Sequence, residues 1–96
     1  MNGIGKYIQE QIQNHFTGFI KVAYEKGKPK SLSVYNNLEN KYPNIDSNFD
    51  LAAELKKAEK PDFWGTLGFT IVDGEIKSYS FTQIRQGLEL DKFLMR

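Results

Sequence analysis

Two stretches of the chain decide the fold, FTGFIKVAYEKGKPKSLSV at residues 16–34 and FWGTLGFTIVDGEIKSYSF at residues 63–81. In each stretch, apolar residues alternate with polar ones on both sides of a central glycine. This is the pattern of two antiparallel strands joined by a tight turn. Asp73-Gly74 is a strong turn signal, because both central positions need a positive φ, and Lys26-Gly27 is a weaker form of it. The sequence therefore predicts two β-hairpins.

The two hairpin sequences also match each other when the chain is shifted by 47 residues. Six identities fall within the nineteen positions 16–34, where unrelated segments would share roughly one. The identical pairs are Phe16 and Phe63, Gly18 and Gly65, Gly27 and Gly74, Lys30 and Lys77, Ser31 and Ser78, and Ser33 and Ser80. The offset predicts an internal repeat of residues 1–36 and 48–84. The alternative is that the two hairpins share only alternation and a turn glycine.

A short amphipathic helix is predicted before each hairpin, over about residues 4–14 and 48–60. Each helix has an apolar stripe at helical spacing, formed by Ile4, Ile8 and Ile12 in the first and by Leu51, Ala52, Leu55 and Ala58 in the second. Ser47 is expected to cap the second helix, because Asp50 follows three residues later, and Pro61 ends it.

These elements predict an α+β fold of duplicated αββ units, as a single domain over residues 1–96. A four-stranded antiparallel sheet would carry both helices on one face. The strand residues expected in the core are Ile20, Val22, Tyr24, Leu32 and Val34 in the first hairpin and Leu67, Phe69, Ile71, Tyr79 and Phe81 in the second. The apolar residues within 86–96 predict a short C-terminal helix that folds back over a monomer.

Composition excludes several classes of protein. Thirteen Lys and Arg residues against twelve Asp and Glu give a net charge of +1, unlike a strongly basic nucleic-acid domain. The absence of cysteine excludes a disulfide scaffold, a thiolate nucleophile and a zinc site built on Cys. The lone His15 has no motif of a catalytic base around it. We expect no enzyme activity, no cofactor, no bound metal and no membrane partner.

The face of the sheet opposite the helices is predicted to be rich in small and hydroxyl side chains. One interpretation is an ordinary solvated face. A second is a docking surface, with Phe19 and Tyr35 as anchors and Lys21 beside them. A third is a nucleic-acid platform, on which exposed aromatic side chains would stack bases. Trp64 has two interpretations of its own. It either plugs the core between the second helix and its strand or serves as an anchor for a partner.

Abundant aromatic residues without catalytic groups favour a small cytoplasmic protein, of bacterial or phage type, that binds an unidentified protein partner as an accessory factor or inhibitor. The alternative is an accessory protein that binds nucleic acid through a basic hairpin edge. The lysines for that role are Lys26, Lys28, Lys30 and Lys77. Their other interpretation is a solvated hairpin tip, where lysine also discourages edge pairing.

Overall fold

The computed structural model describes residues 3–38 and 42–84 of the chain. In these ranges the elements are α1 (Gly3–Gln13), β1 (Gly18–Glu25), β2 (Lys28–Tyr35), α2 (Leu51–Ala58), β3 (Gly65–Val72) and β4 (Glu75–Gln83). The order helix, strand, strand occurs twice, and the predicted α+β class is confirmed. The predicted helix within 86–96 lies outside the described residues.

The four strands form one antiparallel sheet in the order β2–β1–β3–β4. Each hairpin contributes two neighbouring strands, and the hairpins meet through β1 and β3 at the centre of the sheet. Consequently β2 and β4 are its two edges. Lys21 of β1 lies opposite Gly68 of β3, and these two positions are 47 residues apart in the chain.

The two hairpins have the same register. The pairing of β1 with β2 shifts between Ala23 and Tyr24, and that of β3 with β4 shifts 47 residues later, between Thr70 and Ile71. The turn residues also correspond, with φ of 54° and 76° at residues 26 and 27, and 48° and 79° at residues 73 and 74. An axis relating the hairpins would pass between Lys21 and Gly68. Duplication as the origin of this symmetry stays a prediction.

The core lies between the sheet and the two helices. The sheet contributes Ile20, Val22, Tyr24, Leu67, Phe69 and Ile71, and the helices and the segment after α2 contribute Ile8, Leu55, Ala58 and Phe63. These side chains are almost fully buried. Each large apolar side chain buried in this way stabilises the fold by about 1.5–3 kcal/mol.

The predicted start of the second helix is corrected by the structure. α2 begins at Leu51 rather than near residue 48, and its N-cap is Asp50 rather than Ser47. The Oδ1 atom of Asp50 accepts hydrogen bonds from the backbone N–H groups of Ala52 and Ala53, at 3.1 and 3.4 Å. The carboxylate expected to support a cap is thus itself the cap.

The predicted core is also wrong for two residues of β2. Leu32 and Val34 do share the helix-facing side of the sheet, because they lie opposite Val22 and Ile20. However, 37% and 40% of their surface is exposed. The edge position of β2 and the modest size of these two side chains explain this exposure.

Candidate protein-binding surface

The outer edge of β4 is covered by the chain's own linker between β2 and α2. The carbonyl oxygen of Pro43 accepts a hydrogen bond from the Tyr79 N–H at 3.1 Å, and the Ile45 N–H donates to the Lys77 carbonyl oxygen at 3.1 Å. Between them, Asn44 lies opposite Ser78 in an antiparallel bridge. Residues 43–45 therefore act as a short added strand at this edge.

The same linker also covers part of the sheet face opposite the helices. The ring of Tyr42 lies so close to Gly68 that a Cβ atom there would overlap it. Phe19 stacks on Tyr35 with ring centroids 4.3 Å apart and meets Tyr42 edge-on at 6.4 Å. Phe19 and Thr70 are each only 8% exposed. This end of the face is therefore filled by the chain itself.

The four predicted partner-binding residues do not form one surface. Phe19 is buried and offers little of its ring, whereas Tyr35, stacked on it at the end of β2, is 41% exposed. Lys21 is exposed near the middle of the same face. Trp64 is half-buried just before β3, which begins at the opposite end of β1 from Phe19.

Trp64 lines a small cleft at that opposite end of the face. The cleft has a volume of about 190 Å³, and its other lining residues are Ala23, Tyr24, Glu25, Gly65, Thr66 and Ile84. The indole Nε1 of Trp64 is buried and has no hydrogen-bond partner among the described residues. The position of Trp64 therefore combines features of both predicted roles, a partly buried ring and an unused donor.

The four lysines of the nucleic-acid alternative are also divided between the two sheet edges. Lys26, Lys28 and Lys30 are exposed along the first turn and β2, and none of them has an ion-pair partner within residues 3–38 and 42–84. Lys77 lies on β4, where its Nζ is 2.7 Å from Oε2 of Glu75. Its hydrogen bond and charge lower the pKa of the Glu75 carboxyl. Only the three lysines near β2 form a stripe.

The edge of β2 is the surface that the sequence interpretation missed. In an antiparallel pair, every second residue turns its N–H and C=O away from the partner strand. Within the described part of the chain, only β1 pairs with β2. Every residue of β2 is exposed or half-buried. A free edge with exposed apolar side chains is a template for pairing with another strand.

One sequence signal for this surface did exist. The residues that correspond to Tyr79 and Phe81, 47 positions earlier, are Leu32 and Val34. On the β4 side, Tyr79 contacts Phe49 and Phe69 with centroid distances of 5.2 and 5.0 Å. Leucine and valine provide less apolar surface at the same positions, so the β2 side closes less completely.

The phenols of two tyrosines near the core, Tyr24 and Tyr79, have raised pKa values because they are buried. Burial, and secondly the Glu59 carboxylate, raise the pKa of Tyr24 to about 12. Burial raises the pKa of Tyr79 as well, and Glu54 adds to the effect. Both phenols therefore stay protonated near neutral pH.

His15 lies at the surface, beside the second hairpin turn. Its Nδ1 is 3.4 Å from Oδ1 of Asp73, and the two side chains are 75% and 83% exposed. Within the described ranges, no three His, Cys, Asp or Glu residues are grouped so that they could hold a metal ion. Neither helix in those ranges is long and apolar enough to cross a membrane.

In comparisons with known proteins, no family model, no curated protein and no solved structure matches the chain significantly. The candidate surface is therefore defined by the geometry of this chain alone.

Proposed function

We propose that this protein is a small non-catalytic binding module that takes up an extended segment of a partner protein along the free edge of β2. The observation that carries the proposal is the contrast between the sheet edges. Residues 43–45 cover β4, whereas no described residue covers β2. Strand addition provides affinity through main-chain hydrogen bonds, and alternate side chains provide specificity.

The side chains of β2 fit such a role. Leu32, Val34 and Tyr35 are 37%, 40% and 41% exposed, which leaves apolar area for a partner to cover. The stacking of Tyr35 on the buried Phe19 fixes the ring at the end of the strand. Rigid aromatic anchors lose little conformational entropy on binding. In this proposal Tyr35 is the anchor, while Phe19 supports it from behind.

The correspondence between the hairpins supports the proposal. If the chain arose by duplication of an αββ unit, its two edges began with the same backbone hydrogen-bonding groups. The linker uses the edge of the second unit, and the edge of the first unit remains for a partner. A monomeric accessory or inhibitor protein of the cytoplasm is the type of protein that fits this arrangement.

The proposal is tested by selecting displayed random peptides on the full chain and measuring their affinity for two double variants. Leu32→Lys with Val34→Lys places charges on the helix-facing side of β2, where they oppose edge pairing. Gln9→Lys with Gln13→Lys is the control, which adds the same two charges at exposed positions of α1. Selected peptides should lose binding to the first variant and keep it for the second.

Circular dichroism and urea unfolding of both variants establish that each is folded before affinities are compared. Peptides that bind both variants equally well, or a selection that enriches no peptide, would contradict the proposal.

Nucleic acid is a second candidate ligand, because Lys26, Lys28 and Lys30 form an exposed stripe without ion-pair partners in the described part of the chain. Binding through phosphates must weaken steeply with salt, since each contact releases counterions. Fluorescence anisotropy with a labelled single-stranded oligonucleotide tests this, with the triple Lys→Glu variant as control. No binding at low salt would remove this candidate.

A further inference from the structure

We infer that the segment taken up by β2 runs antiparallel to it and consists of apolar residues followed by acidic ones. The inference rests on the proposed function and specifies the chemistry of its ligand. The contact between the linker and β4 supplies the template.

The linker forms hydrogen bonds with one backbone acceptor and one backbone donor of β4. The Lys77 carbonyl oxygen accepts from Ile45, and the Tyr79 N–H donates to Pro43. Lys77 is the extra residue of the irregular pairing, because Ile76 lies opposite Ile71 and Ser78 lies opposite Thr70.

The first hairpin repeats this arrangement. Pro29 lies opposite Tyr24 and Ser31 lies opposite Ala23, so Lys30 is the extra residue of β2. The register therefore turns the Lys30 carbonyl and the Leu32 N–H toward the free edge, as it turns the Lys77 carbonyl and the Tyr79 N–H toward the linker. An incoming segment would place one residue opposite Ser31, as Asn44 lies opposite Ser78.

The apolar part of the ligand follows from this register. The residues before and after the one opposite Ser31 would point to the same side of the sheet as Leu32 and Val34. In the linker those positions are Pro43 and Ile45, and Ile45 is half-buried. Apolar residues at both positions would cover the exposed surface of β2.

The acidic part follows from a difference in charge between the edges. On β4, Lys77 is neutralised by Glu75 at 2.7 Å. The residue 47 positions before Glu75 is Lys28, so Lys30 has a second lysine where Lys77 has a carboxylate. Two cations at one edge favour a ligand that brings its own carboxylates.

The direction of the ligand fixes where its carboxylates lie. A segment antiparallel to β2 has its N-terminal end beside Val34 and Tyr35, and its C-terminal end beside Lys30 and Lys28. Acidic residues therefore come after the apolar ones. The chain's own linker has this order in YPNIDSNFD, residues 42–50, in which Asp46 follows Ile45 directly.

The nonapeptide YPNIDSNFD is therefore the first probe, and YPNIKSNFK, with both aspartates replaced, is its matched control. Each labelled peptide is titrated into the full chain at low and high salt, with anisotropy for affinity and backbone amide chemical shifts for location. The shifts should fall on residues 30–35. The control peptide should bind about tenfold more weakly at low salt, and less so at high salt.

A charge exchange in the protein makes the test specific. In the double variant Lys28→Glu with Lys30→Glu, the preference between the two peptides should reverse. The double variant Lys6→Glu with Lys56→Glu changes the net charge by the same amount at two other exposed lysines, and its preference should stay that of the unchanged chain.

The outcomes separate this inference from the proposed function. If neither nonapeptide binds β2 while peptides from the random library still depend on Leu32 and Val34, the inference is wrong and the proposed function stands. Shifts confined to β4 and residues 43–45 would overturn the inference, because the peptide would then be replacing the linker. Library peptides that bind the Leu32 and Val34 variant normally would overturn both.

Discussion

The two edges of the sheet share one backbone plan and differ in what covers them. β2 and β4 have the same register against their neighbours and the same irregularity 47 residues apart. Yet β4 carries the linker on its outer edge, and Tyr79 and Phe81 pack against the core. On β2, the corresponding Leu32 and Val34 are exposed. The linker and a few side chains, rather than a change of fold, therefore make the difference between the two edges.

The hairpin turns are more alike, because they share their backbone conformation and one backbone hydrogen bond to the other unit. The Gly27 N–H donates to the Phe63 carbonyl at 2.9 Å, and the Gly74 N–H donates to the Phe16 carbonyl at 3.0 Å. Each turn is thus held by the segment that follows the helix of the other unit. The two units therefore differ at the edges of the sheet and agree in the backbone of their turns.

The largest expected effect is a difference between the two edges in how much stability a truncated side chain costs. Phe81→Ala removes a ring that lies 4.9 Å from Phe63, and we expect it to lower the free energy of unfolding by about 3 kcal/mol. Val34→Ala, at the corresponding exposed position, should cost about 1 kcal/mol or less. Urea unfolding of both variants measures the difference. Equal losses would mean that β2 is covered in solution as β4 is.

The turns offer the next largest effect, and here the two units should respond alike. Gly27 and Gly74 have φ of 76° and 79°, and a Cβ atom would overlap the carbonyl oxygen of Lys60 at the first and of Ile12 at the second. Gly27→Ala and Gly74→Ala should each cost about 2 kcal/mol. Gly3→Ala is the control, since no atom of residues 3–38 and 42–84 lies within 4 Å of its added Cβ, apart from its chain neighbours and the backbone of its own helix. A large difference between the two turn variants would break their equivalence.

A smaller effect appears only in alkali. The pKa of Tyr24 rises from 10.0 to about 12 through burial and the nearby Glu59, so the folded chain holds this proton more tightly than the unfolded chain. The resulting stability is fully present below pH 10 and is lost as the pH rises toward 12.

Urea unfolding of the unchanged chain and of Tyr24→Phe at several alkaline pH values measures this contribution. The loss of stability between pH 10 and 12 should be shallower in Tyr24→Phe. Tyr35→Phe, at the exposed end of β2, removes a phenol from the surface and serves as the control. The same slope in Tyr24→Phe and the unchanged chain would show that the phenol of Tyr24 ionises freely in the folded state.

The sequence predicts those parts of the molecule that depend on local pattern. Alternation identified the inner residues of β1 and β3, and Asp73-Gly74 identified a turn, because strand period and turn geometry act over a few residues. Alternation also placed Leu32 and Val34 on the correct face. It could not show that they are exposed, since that depends on what lies above the edge of the sheet.

The candidate site was harder to predict because it depends on contacts between distant residues. Phe19 was expected to be exposed, but Tyr42 covers it from the linker, which has no periodicity that predicts such a contact. The pairing of residues 43–45 with β4 cannot be predicted from local pattern either, because it joins Asn44 to Ser78, which are distant in the chain. The free edge of β2 is recognised by comparing it with the covered edge of β4.

The smallest expected effect tests whether charge also distinguishes the edges. Lys28→Glu places a carboxylate beside Lys30 where Glu75 stands beside Lys77. Because Lys28 is exposed, the melting temperature should move by less than about 2 °C. Binding of the YPNIDSNFD peptide should nevertheless weaken about threefold, since one of the two cations beside its carboxylates is replaced by a repelling charge. Lys56→Glu, at an exposed position of α2, is the single-charge control. Unchanged affinity in Lys28→Glu would show that charge does not distinguish the two edges. The smaller side chains of Leu32 and Val34 would then remain as the difference between the free edge and the covered one.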